Sequence, residues 1–101
     1  MSEKVKVARR SQIPEGSGIT VEAGGRKIAL FNAKGNIYAI DNTCLHRGGP
    51  LAEGDLDGTI VTCPWHGWEY DITTGASLDD PSKKVSCFAV QEVGDDILIV
   101  V

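Results

Sequence analysis

Cys44-Leu45-His46 and Cys63-Pro64-Trp65-His66 constrain this chain more than any other feature, because each short segment offers one thiolate and one imidazole. Four soft or borderline ligands in one small chain mean a metal site. Sixteen residues, Arg47 to Thr62, separate the two segments, too few for a second domain. The two halves must therefore sit on loops from neighbouring strands of one fold. At 101 residues, 42% of them hydrophobic, the chain reads as a single domain over residues 1–101.

The remainder reads as sheet. Lys4-Val5-Lys6-Val7 alternates, and Ile19-Thr20-Val21 and Lys27-Ile28-Ala29-Leu30-Phe31 are rich in strand formers on either side of a Gly24-Gly25 turn. Asn36-Ile37-Tyr38-Ala39-Ile40 is the next predicted strand and leads into the first ligand loop. Thr59-Ile60-Val61-Thr62, after the Asp57-Gly58 turn, leads into the second. Val85 to Val90 and Ile97 to Val101 are expected to pair around Gly94-Asp95-Asp96. Short strands divided by turn signals predict an all-β antiparallel sandwich or barrel. Its tip is formed by two loops, from about Asp41 to Ala52 and from Cys63 to Gly67.

The ligand segments and their surroundings resemble the Rieske [2Fe-2S] proteins, whose signature is Cys-x-His, a gap of about this size, and Cys-x-x-His. The likeness includes His46-Arg47-Gly48-Gly49-Pro50-Leu51, then Pro64-Trp65-His66-Gly67-Trp68-Glu69-Tyr70-Asp71 and Thr74-Gly75. It implies one [2Fe-2S] cluster, with Cys44 and Cys63 on one iron and His46 and His66 on the other. A structural zinc site is the competing reading of two Cys and two His. Zinc fingers, however, usually group both sulfurs in one knuckle and both histidines in a later helix, whereas here the order alternates.

Two neutral imidazoles in place of two thiolates leave such a cluster less negative, so an electron is added more easily. Rieske centres accordingly lie at about −150 to +300 mV, against about −400 mV for plant-type ferredoxins. High-potential respiratory Rieske proteins resemble this chain but join the loops with a disulfide, and Gly49 and Trp65 stand at those two places. Trp68 replaces a serine that donates to a bridging sulfide, while Tyr70 falls where a tyrosine hydroxyl bonds a cysteine sulfur. Fewer donors to sulfur place the expected potential toward the low end of the range.

The resemblance is strongest to ferredoxin components of multicomponent ring-hydroxylating oxygenases. It implies an electron carrier, not an enzyme, between a flavoprotein NAD(P)H reductase and a terminal Rieske oxygenase. The small Rieske-like subunit of an NADH-dependent nitrite reductase is the alternative. Leu45, Pro64 and Trp65 are expected to form an apolar docking rim with Arg47 beside it, Trp65 having the alternative role of shielding the sulfides. Pro81 resembles the proline of a loop that covers the cluster.

Several residues have plainer readings. Cys87 alternates with Ser86 and Phe88 and is expected to be a buried apolar thiol. Asp79-Asp80 and Asp95-Asp96 read as solvated turn residues, and Trp68 as a core aromatic. Arg9-Arg10 is too small a basic cluster for nucleic acid in a chain of net charge −4. The charged opening, Met1 to Arg10, has no apolar run like a membrane span or signal segment. With two of three cysteines committed to iron, no disulfide is expected, and a cytoplasmic monomer is the expectation.

Overall fold

The computed structural model describes residues 4–43, 49–65, 67–80 and 82–100, which form ten strands in three sheets. They are β1 (Lys4–Arg9), β2 (Gly18–Ala23), β3 (Arg26–Ala33), β4 (Asn36–Asp41), β5 (Asp55–Asp57), β6 (Ile60–Thr62), β7 (Glu69–Asp71), β8 (Cys87–Phe88), β9 (Val90–Val93) and β10 (Asp96–Val100). The sheets run β1-β10-β9, β2-β3-β4-β8 and β5-β6-β7. All their pairings are antiparallel.

β3 explains how the layers stack. Ile28 and Leu30 belong to one apolar cluster with Ile37, Ile97 and Ile99. Ala29 and Phe31 belong to a second, with Ile40, Val61, Cys63 and Tyr70. The four-stranded sheet therefore separates two cores, which is why β3 reads as an apolar run where a half-buried strand would alternate. Each large side chain removed from water here contributes roughly 1.5–3 kcal/mol. Cys63 hangs from the second core, between the four-stranded sheet and β5-β6-β7.

The β2–β3 hairpin closes at Gly24-Gly25 with φ of 59° and 77°. Both values lie in the left-handed region that glycine enters without strain, and two such residues give the turn whose twist matches the strands. β1 to β4 and β6 fall where periodicity places them.

The run from Val85 to Val90 does not form one strand. Cys87–Phe88 pairs with β4, opposite Ile40 and Ala39, and Val90–Val93 pairs with β10 in a different sheet. Alternation continues through Ala89 while the chain passes from one sheet to the next, so periodicity alone cannot reveal the break. Arg9 and Arg10 serve the fold: the Arg10 guanidinium donates to the Gly35 carbonyl and to the Glu92 carboxylate. Arg9 lies 3.9 Å from both Asp95 and Asp96.

Candidate metal centre

β4 and β6 deliver the chain to the two ligand segments. Of the four proposed ligands, Cys63 lies among the described residues; Cys44, His46 and His66 lie outside them, as do Leu45, Arg47 and Pro81. Cys63 is buried, 2% exposed, in the cluster that also holds Tyr70. Its backbone N–H donates to the Trp68 carbonyl at 2.7 Å, which closes the segment from Cys63 to Trp68 into a tight loop.

The first loop is closed at its base as well. Thr43 and Pro50 form an antiparallel bridge, and just below it the Leu51 N–H donates to the Asn42 carbonyl at 2.8 Å. The two loops meet at Gly49, which is buried. A Cβ built there would stand 2.8 Å from Cys63 Sγ, 3.0 Å from Trp65 Cγ and 3.2 Å from Trp65 Cβ. Glycine thus permits this close approach: with Trp65 and Cys63 placed as they are, a side chain at position 49 would force one of the three residues to shift. Positions 49 and 65 face each other, and Cβ atoms of a disulfide are typically 3.5–4.5 Å apart. In this chain Trp65 packs on Gly49 at that junction.

Trp65 nevertheless remains 50% exposed, and Pro64 beside it is also exposed. Trp68 is partly buried against the Cys63 core, as a core aromatic would be, with the Lys83 ammonium 5.7 Å from its ring centre. A third loop lies against β7. The buried Ser77 hydroxyl accepts from the N–H groups of Asp79 and Asp80, both at 3.2 Å, and the Asp79 carboxylate accepts from the Glu69 N–H at 2.8 Å. Asp80 accepts from the Ser82 hydroxyl and amide, and these two bonds hold its carboxyl below the usual range. The lowered value makes its stabilising effect present at neutral pH and lost as pH falls through that carboxyl's own pKa. Asp79 and Asp80 are turn residues, as expected, and they fasten the turn.

Cys87 differs from expectation: it is exposed. It pairs with Ile40 but lies on the edge strand, and the group over its sulfur is Gly75, whose position would bring a Cβ within 3.1 Å. Partial desolvation is the main reason its pKa is raised; Lys84 opposes the shift and Asp71 adds to it. A protonated thiol is a poor metal ligand and a slow nucleophile.

The Rieske [2Fe-2S] domain pattern matches residues 3–91, most of the chain. The chain belongs to the Rieske family. Membership of a family built on a [2Fe-2S] cluster implies a Rieske cluster here rather than zinc. The described part of the site suits a Rieske cluster, because a buried cysteine sulfur faces backbone that carries no Cβ.

The Rieske relatives include the "Naphthalene 1,2-dioxygenase system, ferredoxin component" of Pseudomonas aeruginosa. It is 33% identical over 101 residues, covering 98% of this chain and 97% of its own. The ferredoxin of carbazole 1,9a-dioxygenase from Nocardioides aromaticivorans IC177 superposes with a TM-score of 0.89 at 26% identity, covering 95% of each chain. A chain in a complex of reduced oxygenase and oxidised ferredoxin in carbazole 1,9a-dioxygenase gives 0.86 at 28% identity, covering 95% of this chain and 91% of that one. The putative NADH-dependent nitrite reductase small subunit of Mycobacterium tuberculosis gives 0.91 at 20% identity, covering 100% and 96%. That last likeness is one of fold alone.

Proposed function

We propose that this Rieske protein is the ferredoxin of an oxygenase system, taking electrons from a flavoprotein NAD(P)H reductase and passing them to a terminal Rieske oxygenase acting on an aromatic or similar hydrophobic substrate. The observation that carries this reading is end-to-end correspondence with a protein named as such a ferredoxin component, over 98% of one chain and 97% of the other. In this reading residues 1–101 are one domain, a cytoplasmic monomer. Cys44 and Cys63 would hold one iron and His46 and His66 the other. When bound, the cluster supplies a one-electron couple.

The protein's own residues do the rest. Gly49 lets the first loop close on Cys63, and the buried cluster of Phe31, Val61 and Tyr70 keeps water from the inner side of that cysteine. Leu45, Arg47, Pro64 and Trp65 form the docking rim. Pro64 and Trp65 are exposed beside a buried ligand, which supports that placement. Among the described residues no helix is long and apolar enough to cross a membrane.

Charge adds a constraint on the partner. Between Gly48 and Ser82 the sequence has seven carboxylates, Glu53, Asp55, Asp57, Glu69, Asp71, Asp79 and Asp80, and no Lys or Arg. The face a partner meets is expected to be basic, and association to slow with added salt. Reconstitution tests the whole reading. With a candidate reductase, oxygenase and NADH, hydroxylated product should form when this protein is added and nearly cease when it is left out. Product formation independent of it with every candidate oxygenase, together with support of a nitrite reductase, would replace this reading with the nitrite reductase one.

A further inference from the structure

We propose that Asn42 is a positioning residue for the first ligand segment: it ties the chain just before Cys44 to Leu51 and Ala52 beyond that segment, and so fixes the frame from which Cys44 and His46 bind. Asn42 is 6% exposed and ends the pairing of β4, its own N–H donating to the Lys27 carbonyl at 3.1 Å on β3. From that fixed place it reaches across the base of the loop. Its carbonyl accepts from the Leu51 N–H at 2.8 Å, and its side-chain Oδ1 accepts from the Ala52 N–H at 2.9 Å.

Leu51 and Ala52 begin a 3-10 turn, Leu51–Glu53, whose preceding residue Pro50 makes no side-chain cap. The first N–H groups of such a turn have no partner within it. Asn42 supplies both, from nine and ten residues earlier in the chain. Leu51 and Ala52 are themselves buried, 0% and 5% exposed, so the far end of the loop is anchored in the core once these bonds are made. Removing the Oδ1 acceptor strands the Ala52 N–H away from water, a cost that falls on the clasp of the loop.

Asn32 provides a matched comparison. It is also a buried asparagine, 7% exposed, whose amide donates to the Ile13 carbonyl at 2.9 Å and accepts from the Gly35 N–H at 3.0 Å. Its bonds serve the β3–β4 turn and the segment after β1, neither of which carries a proposed ligand. The two residues should therefore affect fold stability alike and the metal centre differently.

The inference rests on Cys44 and His46 being ligands. Its test is the rate at which chelator removes the cluster from purified holoprotein, followed by visible absorption, with the paramagnetic resonance spectrum of the reduced form as a second readout. Asn42→Ala should lose the cluster about tenfold faster than wild type and shift or broaden the spectrum; Asn32→Ala should lower the melting temperature comparably with neither effect. Asn42→Asp, which keeps the acceptor oxygen, should restore the slow rate. Equal rates and spectra for Asn42→Ala and Asn32→Ala would overturn the proposal. If Asn42→Ala does not accumulate as folded protein, Asn42→Ser, too short to reach Ala52, is compared with Asn42→Asp. Faster loss in the serine variant supports the positioning role and equal loss overturns it. A wild type that holds no cluster would instead overturn the ligand assignment beneath it.

Discussion

Replacing His46 or His66 by alanine is expected to abolish the Rieske-type paramagnetic resonance signal of the reduced protein. Each alanine would remove one of the four proposed ligands and leave an iron position open to water, which invites loss of the cluster. Among the described residues no further histidine or buried cysteine stands beside Cys63 to take over. Cys63 and Tyr70 sit in an apolar cluster, and Cys87 lies on the edge strand β8 with its thiol held protonated by partial burial. Cys87→Ser should accordingly leave the signal intact, and the exposed thiol should alkylate slowly without bleaching the protein. Spectra of the three variants side by side give the check. Loss of signal in Cys87→Ser with retention in either histidine variant would mean that the ligand set is wrongly assigned.

Trp65→Ala should slow electron delivery to the oxygenase while leaving absorption spectrum and metal content unchanged. The Trp65 side chain packs on Gly49 at its base yet keeps half its surface in solvent next to exposed Pro64. An aromatic anchor of this kind commonly contributes about 2 kcal/mol or more to binding. That corresponds to roughly a thirtyfold loss of affinity. Stopped-flow oxidation of the reduced ferredoxin by its oxygenase, at several salt concentrations, separates this loss from the charge effect of the acidic stretch, since only the latter shrinks with salt. Wild-type rates with an intact cluster would leave Trp65 as a shield of the sulfides. A bleached variant would show that its packing on Gly49 holds the loops together.

Much of this was legible in the residues themselves. β1 to β4 carry period-two patterns or an apolar run bounded by turn residues, and the Gly24-Gly25 turn is readable from composition. β7 was not, because three residues with acids on both sides of Tyr70 give no periodic signal, although that tyrosine is wholly buried. The break after Phe88 and the exposure of Cys87 depend on which sheet each residue joins and on whether its strand is an edge, both matters of tertiary neighbours. The role of Asn42 was hidden for the same reason: its partners at Leu51 and Ala52 are non-local, and an Asn before a ligand loop reads as an ordinary turn residue. The family was the most legible part, since the Cys-x-His and Cys-x-x-His segments and their spacing are written in the sequence. The facing of Gly49 and Trp65 across the loops needed coordinates.

Metal analysis of protein produced under iron-replete conditions decides whether Cys44, His46, Cys63 and His66 hold a Rieske cluster. The expected result is red-brown protein with about two iron and two acid-labile sulfide per chain. Colourless protein carrying stoichiometric zinc and no labile sulfide would contradict it.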